Sequence, residues 1–345
     1  MLDICIYIID NIFHPNFFTQ TNDAIPSGKN VPNQTAHPHF LAFDFGICTN
    51  EQNEITPQLI EMQGFASLFG YQAHLDDAMR SNYEIPAPYT AYSSGLNKNT
   101  YLQKLQSVIL GNHDPKHVVL LEIKPHTQKT RIDFYCTAAY IGITIVCITE
   151  IIKEGNRLFY KNSTGEKIEI KRIYNRVIFD ELDNIPNLTT EFDFREEVDV
   201  KWITHPNWFF KISKFLLPLL QHQFVPKSYF LHEFPNNENL QDFVLKPLFS
   251  FSGSGVIFHV KREDIEAVTE KDLYILQKKV HYKPIIQSPD GLVKAEVRLL
   301  AVWPKDDRKP TLVTNLVRLS RGEMIGVKFN KDKDWVGGTV GMFER

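Results

Sequence analysis

The chain has 345 residues, enough for two or three domains, because a single hydrophobic core seldom grows past about 250 residues. Hydrophobic residues at 43% and charged residues at 23% are ordinary for a globular protein, and 25 Phe, 13 Tyr and 4 Trp imply large, well-filled cores. A net charge of −3 without any basic run argues against nucleic acid or another polyanionic partner.

The opening "MLDICIYIIDNIF" lacks a basic leader and carries Asp3 and Asp10 in its apolar stretch, so it does not read as a signal peptide. The longest apolar run, "YIGITIVCI", is far short of the roughly 20 residues that cross a bilayer. A cytoplasmic protein without membrane contact is expected. Cys5, Cys48, Cys136 and Cys147 then read as buried thiols in a reducing compartment, and the sequons at Asn33, Asn162 and Asn187 as chance matches.

Residues 14–38 are rich in Pro, Asn, Thr and Gly and predict a long irregular segment. "HFLAFDFGIC" and "QLIEMQGFASLFG" predict two strands joined by a polar loop, and "YQAHLDDAMRSNY" and "NTYLQKLQSVIL" predict helices. From residue 117 the pattern is β-α-β: buried strands "HVVLLEIKP" and "ITIVCIT" flank the helix "QKTRIDFYCTAAYIG", which implies a parallel, Rossmann-like sheet covered on both faces. A hairpin and a return strand follow in "NRLFYKN" and "KIEIKRIYNRV", then proline-punctuated helical stretches that include "PNWFFKISKFLLPLLQHQ". The last third reads as strands: "DFVLKP", "GVIFHV", "LYILQKKV", "KPIIQ", "KAEVRLLAVW", "TLVTNLVRLS" and "EMIGVKFN". The terminal "WVGGTVGMFER" reads as a loop, with Trp335 as a packing anchor.

"DFVLKPLFSFSGSGVIFHV" is the stretch richest in chemistry. It contains no Gly-Lys-Ser/Thr, no third glycine followed by a helix and no G-x-S-x-G, which sets aside a Walker A loop, a dinucleotide fingerprint and a nucleophile elbow. What remains is a strand, Lys246, a Ser/Gly loop and a second apolar run. A loop without bulky side chains can close over phosphates and offer backbone N–H groups, with the lysine as a fixed positive charge. The plain alternative is a hairpin turn.

Downstream, "LYILQKKV" ends in Gln277 and Val280, "KAEVRLLAVW" puts Glu296 and Arg298 on one strand face, and "TNLVRLSRG" adds Asn315 and Arg318. A lysine with a Gly/Ser loop, a Gln hinge, an E-V-R strand and an arginine-bearing strand, in that order, resemble the ATP-grasp family. The order lacks a closing Asp and Glu-x-Asn, but "FLAFDFGI" and "QLIEMQGF" supply Asp44 and Glu61-x-Gln63 near the front. This is similar to circularly permuted ATP-grasp ligases such as the synthetase domain of glutathionylspermidine synthase.

The resemblance implies a mixed fold, α+β / α/β: a circularly permuted ATP-grasp with a Rossmann-like pre-ATP-grasp domain. Residues 1–110 would carry the permuted metal-binding strands, 111–185 the substrate domain and 186–345 the nucleotide-binding subdomains. It further implies an ATP- and Mg²⁺-dependent ligase joining a small-molecule carboxylate to an amine through an acyl phosphate. Lys214 (or Lys211) and Lys246 would hold phosphates, with Ser252, Gly253, Ser254 and Gly255 closing over them within the loop 251–255. Gln277 and Val280 would bind adenine. Asp44, Glu61, Gln63 and Glu296 would hold the metal, and Arg298, Arg318 and Arg176 would stabilise the acyl phosphate. Two departures favour a nucleotide-binding protein without ligase activity: Gln63 replaces the usual Asn, and Ala42 stands where those enzymes carry an arginine. "RIYNRVIFDEL", with Arg172, Arg176, Asp180 and Glu181, reads as an interface or as a substrate contact. His37-x-His39 and His113 with His117 lack a third zinc ligand.

Overall fold

The computed structural model describes residues 1–11, 13, 15–250, 253–323, 325 and 330–344. Its centre is a six-stranded sheet in which Phe40–Thr49 lies between Ile55–Gln63 and Gly291–Val302; Gly291–Val302 pairs in turn with Thr311–Ser320 and with the short strand Ile286–Ser288, and Thr311–Ser320 pairs with Gly337–Thr339. All of these pairings are antiparallel. Strands from the front of the chain are thus hydrogen-bonded to strands near its end.

Alternation along these strands builds two unlike faces. Leu41, Phe43, Phe45, Leu299 and Ala301 enter a core that also holds Trp208, Leu216, Leu217 and the helix Leu2–Asn11. On the other face Phe40, Ala42, Leu300 and Val302 pack beneath the helices Phe69–Asn82 and Lys98–Leu110 through Phe69, Ala73 and Leu105. Further along that second face the residues become charged. One end of a single sheet face is therefore apolar core, and the other end is charged.

A second sheet is parallel, in spatial order Lys201–Ile203, Arg172–Asn175, Val118–Glu122 and Thr144–Cys147. The helix Arg131–Ile141 joins the inner strand Val118–Glu122 to the edge strand Thr144–Cys147 and stops at Gly142, whose φ of +83° a residue with Cβ adopts only at a cost. Val118 and Leu120 face the helices, while Val119 and Leu121 face the hairpin strands Arg157–Lys161 and Lys167–Ile170, which explains the unbroken apolar run of that strand. Arg172 donates to the carbonyls of Ile109 and Val108 at 2.9 and 2.8 Å, satisfying the end of the helix Lys98–Leu110. Its role is structural.

A third, small sheet comprises Ser228–Phe230, Tyr274–Lys278 and Phe243–Pro247. Several expectations are corrected here. "VIFHV" forms no strand; Ile257 makes one isolated bridge with Leu245. "PNWFFKISKFLLPLLQHQ" is helical only in short pieces, Asn207–Lys211 followed by a 3₁₀ segment Lys214–Leu219 that contains Pro218. The glycine-rich tail is not all loop, since Gly337–Thr339 pairs with the Arg318 strand and Phe343–Glu344 with Tyr89–Thr90. Trp335 is 55% exposed and anchors no core. "EMIGVKFN" falls largely outside the described residues, as do the side chains of Asp180 and Glu181.

The segment 14–38 is not wholly irregular: Pro15–Gln20 is a helix and Thr21–Ala24 a short 3₁₀ turn, and residues 30–35 are held by polar contacts to the turn 205–211. Asn207 bonds Val31 through both its amide oxygen (2.9 Å) and its amide nitrogen (3.1 Å), and Trp208 Nε1 donates to Thr35 at 2.9 Å. His205 is fully buried; its Nε2 pairs with the Pro32 carbonyl at 3.0 Å and its Nδ1 accepts from the Asn207 N–H, so both nitrogens are in use by the neutral ring. Burial depresses its pKa to about 4, with the Pro32 bond opposing and Lys211 assisting. The unfolded chain takes up this proton below about 6.5, the folded one only near 4, so stability is lost as pH falls through that window. The full effect is on the order of 3 kcal/mol. Urea midpoints at pH 7 and 5 are expected to diverge less in His205→Gln than in the native sequence; an unchanged pH slope contradicts this.

Candidate functional site

Register brings the charged residues together. Asp44 lies opposite Glu61 on one side and Arg298 on the other, and Glu296, two residues before Arg298, lies opposite Arg318. Two-residue alternation puts all five on the face whose other end is apolar core. Asp44, only 1% exposed, accepts from Arg298 Nε and Nη2 at 2.6 Å each and from Arg318 at 2.8 Å. Glu296 accepts from Arg318 and, at 2.8 Å, from the Tyr282 hydroxyl.

The small sheet closes on this face. Lys246, in the strand Phe243–Pro247, donates to the amide oxygen of Gln277 in the neighbouring strand, while Gln277 Nε2 reaches the Ile60 carbonyl of the large sheet at 3.5 Å. Lys214, at the start of its 3₁₀ segment, donates to Glu61 at 3.3 Å and to the Ser250 carbonyl at 3.1 Å. That second bond ties the lysine to the root of the Ser/Gly loop. Lys214, Lys246, Arg298 and Arg318 therefore share one junction with Asp44, Glu61 and Glu296, four cations against three carboxylates.

The electrostatics follow from burial and pairing. Burial works against the Asp44 charge, but Arg298 and Arg318 outweigh it and hold this carboxyl below the ordinary carboxylate range. Glu296 goes the other way: burial, with the Asp44 charge beside it, raises its pKa although Arg318 opposes. Burial lowers Lys246 to about 8, with Glu61 opposing and Lys214 reinforcing. An ammonium so placed is poorly compensated in the free protein and gains from any anion brought to it.

Other expected residues lie elsewhere or are engaged differently. Arg176 donates to the Ala66 carbonyl at 2.8 Å and stacks on Phe65, at the end of the parallel sheet, and none of its described partners belongs to the charged junction. Lys211 is buried with its ammonium on Asn22 at 2.6 Å, whereas Lys214 reaches the junction. Gln63 sits opposite Ala42, beside the apolar end. Asn315 makes a reciprocal bond pair with Gly341, fastening the tail. Gly253 and Gly255 have φ of +72° and +70°, and a Cβ on Gly255 would meet Pro247 at 2.8 Å, so the loop folds back over the end of the Lys246 strand. Ser254 is exposed, Ser252 lies outside the described residues, and Val280 is half-buried just past the Gln277 strand. Gly46 and Tyr282 are site residues that no motif announced.

Among the described residues no group of three or more His, Cys, Asp or Glu side chains could hold a metal ion. The local reason is visible: both Asp44 oxygens are taken by guanidinium, and Glu296 is taken by Arg318 and Tyr282. As they stand, these donors do not fit a resident divalent cation. No helix among the described residues is long and apolar enough to cross a membrane.

The sequence matches no family model and no curated protein. By structure, the chain is similar to an apo glutathione synthetase-like effector from Globodera pallida, at a TM-score of 0.53 and 10% identity, covering 88% of this chain and 77% of that one. It also aligns with a "Putative gamma-glutamylcysteine synthetase" from Methylobacillus flagellatus KT, at a TM-score of 0.47 and 12% identity, covering 94% and 83% of the two chains. At such identities the first likeness is one of fold, and the second carries no argument.

Proposed function

We propose that the junction of the large and small sheets binds ATP and that the chain is an ATP-dependent carboxylate–amine ligase of a circularly permuted ATP-grasp type. The observation that carries this reading is the convergence of Lys214, Lys246, Arg298 and Arg318, from distant parts of the chain, on one junction beside a glycine-containing loop. Two further observations support it: the front strands with Asp44 and Glu61 pair next to the late strands with Glu296 and Arg318, and the fold is similar to a glutathione synthetase-like protein.

On this reading Lys214 and Lys246 hold phosphates, the loop through Gly253, Ser254 and Gly255 covers them, and adenine lies against Gln277 and Val280. The γ-phosphoryl group moves from ATP to a carboxylate oxygen of the acid, leaving ADP, and the amine then displaces phosphate to form the amide. Arg298 and Arg318 neutralise charge on the transferring group, so the work is positioning and electrostatics and needs no protein nucleophile. The parallel sheet serves as the Rossmann-like substrate domain, and the setting is cytoplasmic.

A second reading, nucleotide binding without ligation, is favoured by the saturation of Asp44 by Arg298 and Arg318. Thermal shift with ATP, with and without Mg²⁺, followed by ADP release with mixed amino acids and polyamines, separates the two. The ligase reading expects a Mg²⁺-dependent shift and amine-dependent ADP release. ATP binding indifferent to Mg²⁺, with no turnover on any amine, selects the second reading; no shift with any nucleotide overturns both.

A further inference from the structure

Between the small sheet and the large one runs the segment 279–285, directly after the strand that carries Gln277. It lies along the Asp44 strand as a short extra edge: Thr49 N–H donates to the His281 carbonyl at 3.1 Å, Lys283 N–H donates to the Ile47 carbonyl at 2.9 Å, and Tyr282 bridges to Cys48. Gly46 is directly opposite Glu296 in the sheet. A Cβ on Gly46 would meet Tyr282 Cε1 at 2.8 Å and Cζ at 3.0 Å, closer than real Cβ contacts. The tyrosine ring thus occupies the space a side chain at 46 would fill, and from there its hydroxyl donates to Glu296 Oε2 at 2.8 Å while Arg318 takes Oε1.

We infer that Tyr282 is a positioning residue of the candidate site: seated in the slot left by Gly46, it fixes Glu296 and thereby orients Arg318. The linker that joins the two sheets is in this way fastened to Glu296, the carboxylate that holds Arg318. The consequence for turnover rests on the ligase reading given above, whereas the positioning itself does not.

The test uses Tyr282→Phe, which keeps the ring in its slot and removes only the donor, and Gly46→Ala, which keeps the donor and displaces the ring. In the ligand-free protein the guanidinium ¹⁵N–¹H signals of Arg318, identified by their loss in Arg318→Lys, are expected to be restrained in the native sequence and shifted or averaged in both variants. Identical Arg318 signals in native protein and Tyr282→Phe overturn the inference, whether or not the protein binds nucleotide. If Gly46→Ala does not fold, Tyr282→Phe decides alone. Where the native protein releases ADP, Tyr282→Phe is expected to lower kcat about tenfold with KM for ATP changed less than about threefold; an unchanged kcat overturns the consequence for turnover. A native protein without nucleotide binding removes the ligase reading and leaves the Arg318 comparison standing.

Discussion

Replacing Arg298 with methionine is expected to cost about 3–5 kcal/mol of folding stability, the range found when one partner of a buried ion pair is removed. Asp44 is 1% exposed and receives two of its three described hydrogen bonds from this one guanidinium. After the substitution Arg318 alone faces Asp44, and it is already shared with Glu296. The remaining carboxylate then stays charged at full desolvation cost or takes up a proton. The double variant Asp44→Asn, Arg298→Met removes the charge along with its partner and is expected to recover most of the loss. The pH dependence has a defined sign: the folded pKa of Asp44 lies below its unfolded value of 3.8, so the pair's contribution is complete above that value and is lost as pH falls below it. Guanidinium denaturation of the three proteins measures both effects. A loss under about 1 kcal/mol in Arg298→Met would show that this guanidinium is not committed to Asp44.

How much of this site was readable in the sequence depends on whether the determining contact is local. Glu296 and Arg298 lie two apart on an evident strand, as do Glu61 and Gln63, and alternation alone fixes their common face. The pairing of the Asp44 strand with the Glu296 strand bridges a separation of 254 residues, from Asp44 to Arg298, and has no local signal; only the order of motifs pointed to it. Tyr282 and Gly46 were invisible for the same reason. Their relation is a fit between a ring and an absent side chain, between residues far apart in the chain and on different segments.

The fold shows a similar division. The strands 118–122 and 144–147, the first fully and the second half buried, and the helix between them were readable from continuous apolar runs and a terminal glycine. "VIFHV" has strand propensity, but the chain just before it turns: Gly253 and Gly255 adopt left-handed φ, and one bridge to Leu245 is all the pairing described. The tail was misread in the opposite direction. Its strands use backbone hydrogen bonds to the Arg318 strand and to Tyr89–Thr90, which a composition of glycine and small residues does not advertise. Arg176 looked like a member of the charged site because it is basic and near a strand end, yet its guanidinium serves the Ala66 carbonyl and the Phe65 ring.

Lys246→Ala is expected to weaken ATP binding by about tenfold to a hundredfold, since a charge-assisted contact contributes about 1.5–3 kcal/mol. The free protein holds this ammonium at an effective pKa of about 8, because burial outweighs Glu61 and the Gln277 amide is its one described hydrogen-bond partner. A triphosphate placed against it raises that pKa, so binding near pH 8 must draw a proton from solvent. Calorimetry in two buffers of different ionisation enthalpy is expected to show uptake of up to about half a proton per ATP at pH 8, falling to near zero at pH 6. Lys246→Ala loses both the affinity and the uptake. Lys246→Arg separates charge from titration: guanidinium stays protonated throughout, so affinity is retained in part and the proton uptake disappears. Full affinity in Lys246→Ala would move the nucleotide away from this lysine, and with it the assignment of the loop that follows.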